Sequence, residues 1–339
     1  MNISIVTQAL LDNYGGLLQN FALQRVLKSM GHSPRTIDYR PLTNFYREFP
    51  RVFGSWMKTV YLFVFKGIRR DFARFRQPKK RNPIFDSFVS QWIDVSAQTS
   101  QYSYNQLKNE KSDAIIVGSD QVWRPKMNYC VEDMYLRFVK NIPARRIAYA
   151  ASFGVDEWEY TAKQTKECSA LAKKFNAISV REESGVDLCQ KNLDVNAVWV
   201  LDPTLLLKKE DYLEVCENVS ASSELYLAAY VLNMSESISK ECKQIAAEKG
   251  LELKVFSADA QASLSVPEWL AMFRDASYVV TDSFHGTVFS IIFGKEFKCI
   301  YNEVRGAARF ESLLNLYNSG KLEEMRQFSL NWLKNALET

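Results

Sequence analysis

Ten short apolar runs, each ended by a small or polar residue and separated from the next by a helical or turn stretch, constrain this 339-residue chain more than any other feature. The first six are "ISIVT", "RTIDY", "AIIVGSD", "RRIAYAASFG", "AISVREESG" and "AVWVLDPTLLL"; "LYLAAYVL", "LELKVFS", "YVVTDS" and "FKCIYN" follow Pro203. Helical periods lie between them. In "LLQNFALQRVLKSMGH", Leu17, Leu18, Phe21, Leu23, Val26 and Leu27 repeat at helical spacing and Gly31 closes the run. Strands alternating with helices form parallel sheets whose carboxyl ends build sites. The pattern predicts an α/β protein of two domains with mostly parallel sheets, residues 1–203 and 204–320, as a chain of this length favours two cores. A last helix over 321–339, with Met325, Phe328, Leu333 and Leu337 at helical spacing, is expected to pack back across the junction.

Residue counts narrow the chemistry. Six scattered cysteines without a CxxC pair, and only two histidines, assemble no local zinc set, so no metal site and reduced thiols are expected. The start "MNISIVTQAL" runs directly into a strand, and no run of ~18 apolar residues exists, which reads as a cytoplasmic chain. The net charge of +4 conceals one basic segment. Residues 46–81 hold eleven Lys/Arg against two acids, a local +9, leaving −5 on the rest. Its Trp56, Phe63, Phe65, Phe72 and Phe75 interleave with Arg69, Arg70, Arg74 and Arg76, a composition suited to peripheral contact with an anionic membrane surface or to packing on the N-terminal domain. No nucleic-acid motif accompanies it.

Strand ends supply the candidate site. Asn13, Tyr14, Gly15, Gly16 and Gln19 follow the first strand; Ser119, Asp120, Gln121 and Trp123 follow "AIIVG"; Ser152 follows "IAYAA"; Arg181 follows "AISV". In the second half come Asp259, then Ser283 and His285 where "YVVTDS" turns into a helix, then Arg305 after "FKCIYN". Two arginines, a histidine at a helix start and several small polar residues suit a small, multiply anionic ligand. Each has a plainer reading: Asp120 and His285 as helix caps, Trp123 as core, Arg181 as a partner for Glu182 or Glu183, the glycines as a tight turn. No P-loop, GxSxG, HExxH or GxGxxG occurs.

Taken in order, "NYGGLLQNFALQRVLKSMGH", "IVGSDQVW", "YAASFG", "ISVREESGVDL", "LDPTLLL" and "VVTDSFHGTVFSIIFGKEF" resemble the polysaccharide pyruvyl transferase family. The resemblance implies a GT-B-like arrangement of two Rossmann-like domains with an inter-domain cleft, the acceptor on the N-terminal side and phosphoenolpyruvate on the C-terminal side. It implies transfer of the pyruvyl carbons to a sugar of a surface or capsular polysaccharide precursor as a cyclic ketal, with phosphate released and no cofactor beyond the donor itself. His285 and Arg181 match family positions, Arg305 matches a basic one, and Asp259 is the implied base, with Asp120 as a competing choice on its strand-end position. A polyprenyl-linked acceptor would explain a membrane-seeking 46–81. The alternatives are a nucleotide-sugar glycosyltransferase of the same fold class and a non-catalytic binding protein.

Overall fold

All ladders between strands are parallel in the computed structural model, which describes residues 1–42, 78–128, 130–257, 263–300 and 307–338. The first sheet contains β1 (Asn2–Val6), β2 (Ser33–Thr36), β3 (Ala114–Val117), β4 (Arg145–Ala151), β5 (Ala177–Val180) and β6 (Val198–Trp199), in the order β2-β1-β3-β4-β5-β6. The second contains β7 (Tyr226–Tyr230), β8 (Glu252–Phe256), β9 (Tyr278–Thr281) and β10 (Glu296–Cys299), in the order β10-β9-β7-β8. Both are α/β sheets of the kind the alternating pattern demands. Asp259, Arg305 and positions 46–77 of the basic segment lie outside the described residues.

Local chemistry sets the helices. Asn13 caps Tyr14–Ser29 by accepting from the Gly16 amide, and Ser283 caps Phe284–Ile292 by accepting from the Gly286 amide. Ser265 and Glu268 form a reciprocal capping box for Val266–Asp275, with a proline in the first turn. Helix Glu236–Lys249 ends at Gly250, whose φ of +66° a residue with a Cβ seldom adopts.

One apolar cluster runs through both halves. Helix Tyr14–Ser29 and the segment Pro203–Val215 bridge them: Tyr14 stacks on Trp269 at 5.2 Å, and its hydroxyl donates to the Leu264 carbonyl at 2.5 Å. Tyr212 meets both Phe21, at 6.2 Å, and Phe289, at 4.9 Å. Separate clusters cover the other faces of the two sheets. Helix Leu322–Glu338 returns to the first sheet, where Trp332 lies against Tyr149, Ser329 Oγ accepts from the Leu201 amide and Arg145 Nε donates to the Ala336 carbonyl. Its buried stripe is Ser329, Leu333, Ala336 and Leu337; Phe328 is 47% exposed. Met325, Leu333 and Leu337 of the expected stripe pack inward in one row with Ser329, and Phe328 departs from it.

At the other end of the basic segment, Arg81 is buried. It donates to the Leu10 carbonyl and pairs with Asp38 and Asp86 at 3.2 Å, so it belongs to the packing of the first half and is no solvated charge.

Trp269→Ala should cost about 3–5 kcal/mol in chemical denaturation, the usual penalty for emptying an enclosed aromatic site. Tyr14→Phe, which removes only the bond to Leu264, should cost about 1 kcal/mol. Equal losses would mean that the bridging hydrogen bond, and not the shared core, joins the halves.

Candidate active site

Strand order reverses around β1 in the first sheet and around β7 in the second, and at such switch points the loops splay apart to leave a crevice. The loops there bring together the helix start at Asn13–Gly16, the turn at Ser119–Asp120 and the helix start at Ser283–His285. Gly15 and His285 are in direct contact: a Cβ at position 15 would run into Nδ1, Cγ and Cε1 of the imidazole. Glycine is required there by space alone, so that the two halves can meet backbone to ring.

Asp202 lies beneath this contact, in the segment beyond β6, where it caps the turn Pro203–Leu205. Its Oδ1 accepts from the Thr204 amide at 3.0 Å and the Thr204 hydroxyl at 2.7 Å; its Oδ2 accepts from Ser119 Oγ and Arg181 Nη1, both at 2.9 Å. His285 Nε2 faces Oδ2 at 3.9 Å, beyond hydrogen-bond reach. Burial alone would raise this carboxyl, but His285, Arg181 and the donors outweigh it and hold it down to about 2.

Arg181 is nearly enclosed. Besides Asp202 it has Asp120 Oδ1 3.5 Å from Nη2, and its guanidinium lies 4.6 Å from the centre of the Phe284 ring. Nε and Nη2 have no hydrogen-bond partner among the described residues. They form the side-on edge that matches an oxyanion with two parallel bonds. His285 Nε2 is likewise unpartnered. Burial pushes His285 below its ordinary value of 6.5 despite Asp202 and Asp120, so the ring is neutral in the free protein at neutral pH.

The other sequence-derived candidates divide into those at the crevice and those that support it. Asp120 sits at φ +75°, with Oδ1 accepting from the Gln121 amide and no hydrogen bond to Oδ2 among the described residues. Ser119 is committed to Asp202. Ser152 Oγ accepts from the Gly154 amide and is buried. Gln121 accepts from Arg124. Gln19 donates to Thr7 Oγ1 and the Gly16 carbonyl, bracing the first helix turn. Tyr14 is core, and burial pushes its hydroxyl up to about 12. Trp123 is also core, stacked on Tyr135 at 4.6 Å with Nε1 donating to the Met134 carbonyl, and it offers no face to the crevice.

Two residues at the site escaped the sequence reading. Asp202 was legible as the Asp-Pro-Thr cap after β6, but its role depends on Ser119, 83 positions earlier. The other is Arg309, on helix Ala308–Asn318, which reaches within 5.7 Å of the Phe284 ring centre from a segment without a motif. Glu182 completes the set; its Oε1 accepts from the Phe153 and Gly154 amides, and Oε2 has no partner among the described residues.

No curated protein matches the sequence. Among solved structures, the chain is similar to the Neisseria meningitidis UDP-GlcNAc 2-epimerase bound to UDP-GlcNAc, at 9% identity over 100% of this chain and 98% of that one, with a TM-score of 0.48. It is also similar to a putative UDP-N-acetylglucosamine 2-epimerase from Listeria monocytogenes (10%, 98% and 94%, 0.46) and to the E. coli ADP-heptose lipopolysaccharide heptosyltransferase II (10%, 99% and 98%, 0.42). Likenesses this remote say nothing of chemistry. The polysaccharide pyruvyl transferase family model, by contrast, matches residues 13–303, from the Asn13 cap through Arg181, Asp202 and His285, and the chain belongs to that family.

Proposed function

We propose that this chain transfers the pyruvyl carbons of phosphoenolpyruvate to two hydroxyls of a sugar, forming a cyclic ketal and releasing inorganic phosphate. The observation that carries this reading is the Nε/Nη2 edge of Arg181, held by Asp202 and without a hydrogen-bond partner among the described residues, beside the likewise unpartnered Nε2 of His285 at a helix amino end. Such an arrangement accepts a compact oxyanion and places a proton carrier next to it.

The chemistry balances without a redox step. A proton from His285 adds to the methylene carbon, making it a methyl group and leaving C2 electron-poor. One sugar hydroxyl bonds to C2 as its proton passes to a base. The C2–O bond to phosphate then breaks, phosphate departs with that electron pair, and the second hydroxyl closes the ketal as its proton leaves. Asp120, with an uncommitted Oδ2, is the base in this scheme. Asp259 is its rival from outside the described residues.

Charge explains the proton. Arg181 and Arg309 face three carboxylates, Asp120, Glu182 and Asp202, so a trianionic donor needs further positive charge. Protonation of His285 supplies one unit, and Arg305, also outside the described residues, would supply another. For the acceptor, the basic, aromatic 46–81 favours a polyprenyl-linked precursor of a surface or capsular polysaccharide, met at the cytoplasmic face of the membrane. No described helix is long and apolar enough to span a bilayer.

Incubated with phosphoenolpyruvate and lipid-linked or nitrophenyl glycosides of galactose, mannose and N-acetylmannosamine, the protein should release phosphate and add a pyruvate ketal detectable by mass spectrometry. His285→Gln and Arg181→Lys, which keeps the charge beside Asp202 but loses the side-on edge, should each slow turnover by about 10²-fold or more. Sugar-nucleotide turnover with no phosphate released from phosphoenolpyruvate would instead make it a glycosyltransferase.

A second expectation concerns pH. His285 is neutral when free and charged in the complex, so binding takes up a proton. Above neutrality, where the phosphoryl group is fully ionised, phosphoenolpyruvate affinity should weaken by up to about tenfold per pH unit in wild type. His285→Gln should flatten this dependence, and an unchanged slope would remove His285 from the proton balance. Gly15→Ala, which forces the imidazole aside, should lower activity while the far-ultraviolet circular dichroism stays native.

A further inference from the structure

Arg309 places a cation where its own helix disfavours one. It is the second residue of helix Ala308–Asn318, where the positive end of the helix dipole disfavours a cation. The helix cap, Ala307, offers no side-chain acceptor. Its guanidinium packs on Phe284 and Phe310, at 5.7 and 5.3 Å from the ring centres, and Phe284 also carries Arg181 at 4.6 Å. Two cations therefore share one aromatic ring, immediately before His285. Arg309 Nε is enclosed and has no partner among the described residues, as is true of Arg181 Nε and Nη2. Burial, with the Arg181 charge behind it, pulls the Arg309 guanidinium down to about 10, still a cation at neutral pH. The nearby carboxylates Asp120 and Glu182 oppose that shift but do not reverse it, and neither is hydrogen-bonded to Arg309 among the described residues.

Arg181 and Arg309 thus aim three donor nitrogens without a hydrogen-bond partner among the described residues around one ring, and such donors suit an oxyanion even with carboxylates nearby. We propose that Arg309 is the second guanidinium of the anion site, bracketing with Arg181 the phosphoryl group of the donor, the substrate's one doubly charged group. This deepens the pyruvyl transfer reading and rests on it for the donor's identity. Arg309 lies beyond the residues that the family model matches, so the assignment comes from the geometry of this chain alone.

The test uses the full-length protein with wild type, Arg309→Met and Arg309→Lys, titrated with inorganic phosphate and separately with phosphoenolpyruvate, reading affinity by calorimetry and melting temperature without ligand. The expected result is that Arg309→Met weakens both ligands by about tenfold or more, as loss of one charge-assisted contact does, while the ligand-free melting temperature holds or rises. Arg309→Lys should recover part of the affinity. An Arg309→Met protein that binds phosphate as wild type does would overturn the proposal, as would a melting temperature that falls with phosphate affinity intact, which would mark a structural tie to Glu182. If inorganic phosphate binds in an Arg309-dependent way and phosphoenolpyruvate does not bind at all, the anion site stands and the donor reading fails.

Discussion

The Asp202 carboxylate is the interaction on which the site depends. It accepts four hydrogen bonds from three residues, Ser119 after β3, Arg181 after β5 and Thr204 beyond β6, and it faces His285 of the second sheet. Carboxylates this enclosed survive only when their lone pairs are met and a cation stands beside them. Because its pKa is depressed, the stabilisation is fully present above the ordinary carboxylate range and disappears only as pH falls toward about 2. Fixing Arg181 through Nη1 has a second effect: it presets the other edge of the guanidinium, whose two donors have no hydrogen-bond partner among the described residues, with Asp120 Oδ1 3.5 Å from Nη2. That preorganisation is what an anion site requires, since no donor has to reorient when charge arrives.

The shared core makes this arrangement rigid across two sheets. Tyr14 on Trp269, and Tyr212 between Phe21 and Phe289, tie the first helix and the Pro203–Val215 segment into the second half. The same first helix presents Gly15 to His285. Packing and site are thus one construction: the residues that hold the halves in register also set how closely the imidazole approaches Asp202. The polar residues around them, Gln19 on Thr7 and Ser152 under Gly154, keep the loop backbones satisfied where the strands end.

How much of this was legible beforehand follows from the range of each signal. Alternating strands and helices, the Asn13 and Ser283 caps and the strand-end placement of Arg181 and His285 are local in sequence, and local propensity reports them. The pairing of Asp202 with Ser119, the Phe284 ring shared by two arginines and the close approach of Gly15 to His285 join positions from opposite sheets or distant loops, which no local pattern encodes. Aromatic identity misled for the same reason, because Trp123 in a core and Trp123 at a binding face read alike until Tyr135 is found stacked on it. Phe328 shows the converse: helical spacing placed Met325, Leu333 and Leu337 on the inward row, while Phe328, one position off that row, faces out.

The most direct measurement is a crystal structure of the wild-type protein with phosphoenolpyruvate bound. A donor oxyanion should lie within about 3 Å of both Arg181 Nε and Nη2, with the methylene carbon turned toward His285 Nε2. Phosphoenolpyruvate seated elsewhere, with the Arg181 edge filled by water and His285 facing no ligand carbon, would contradict it.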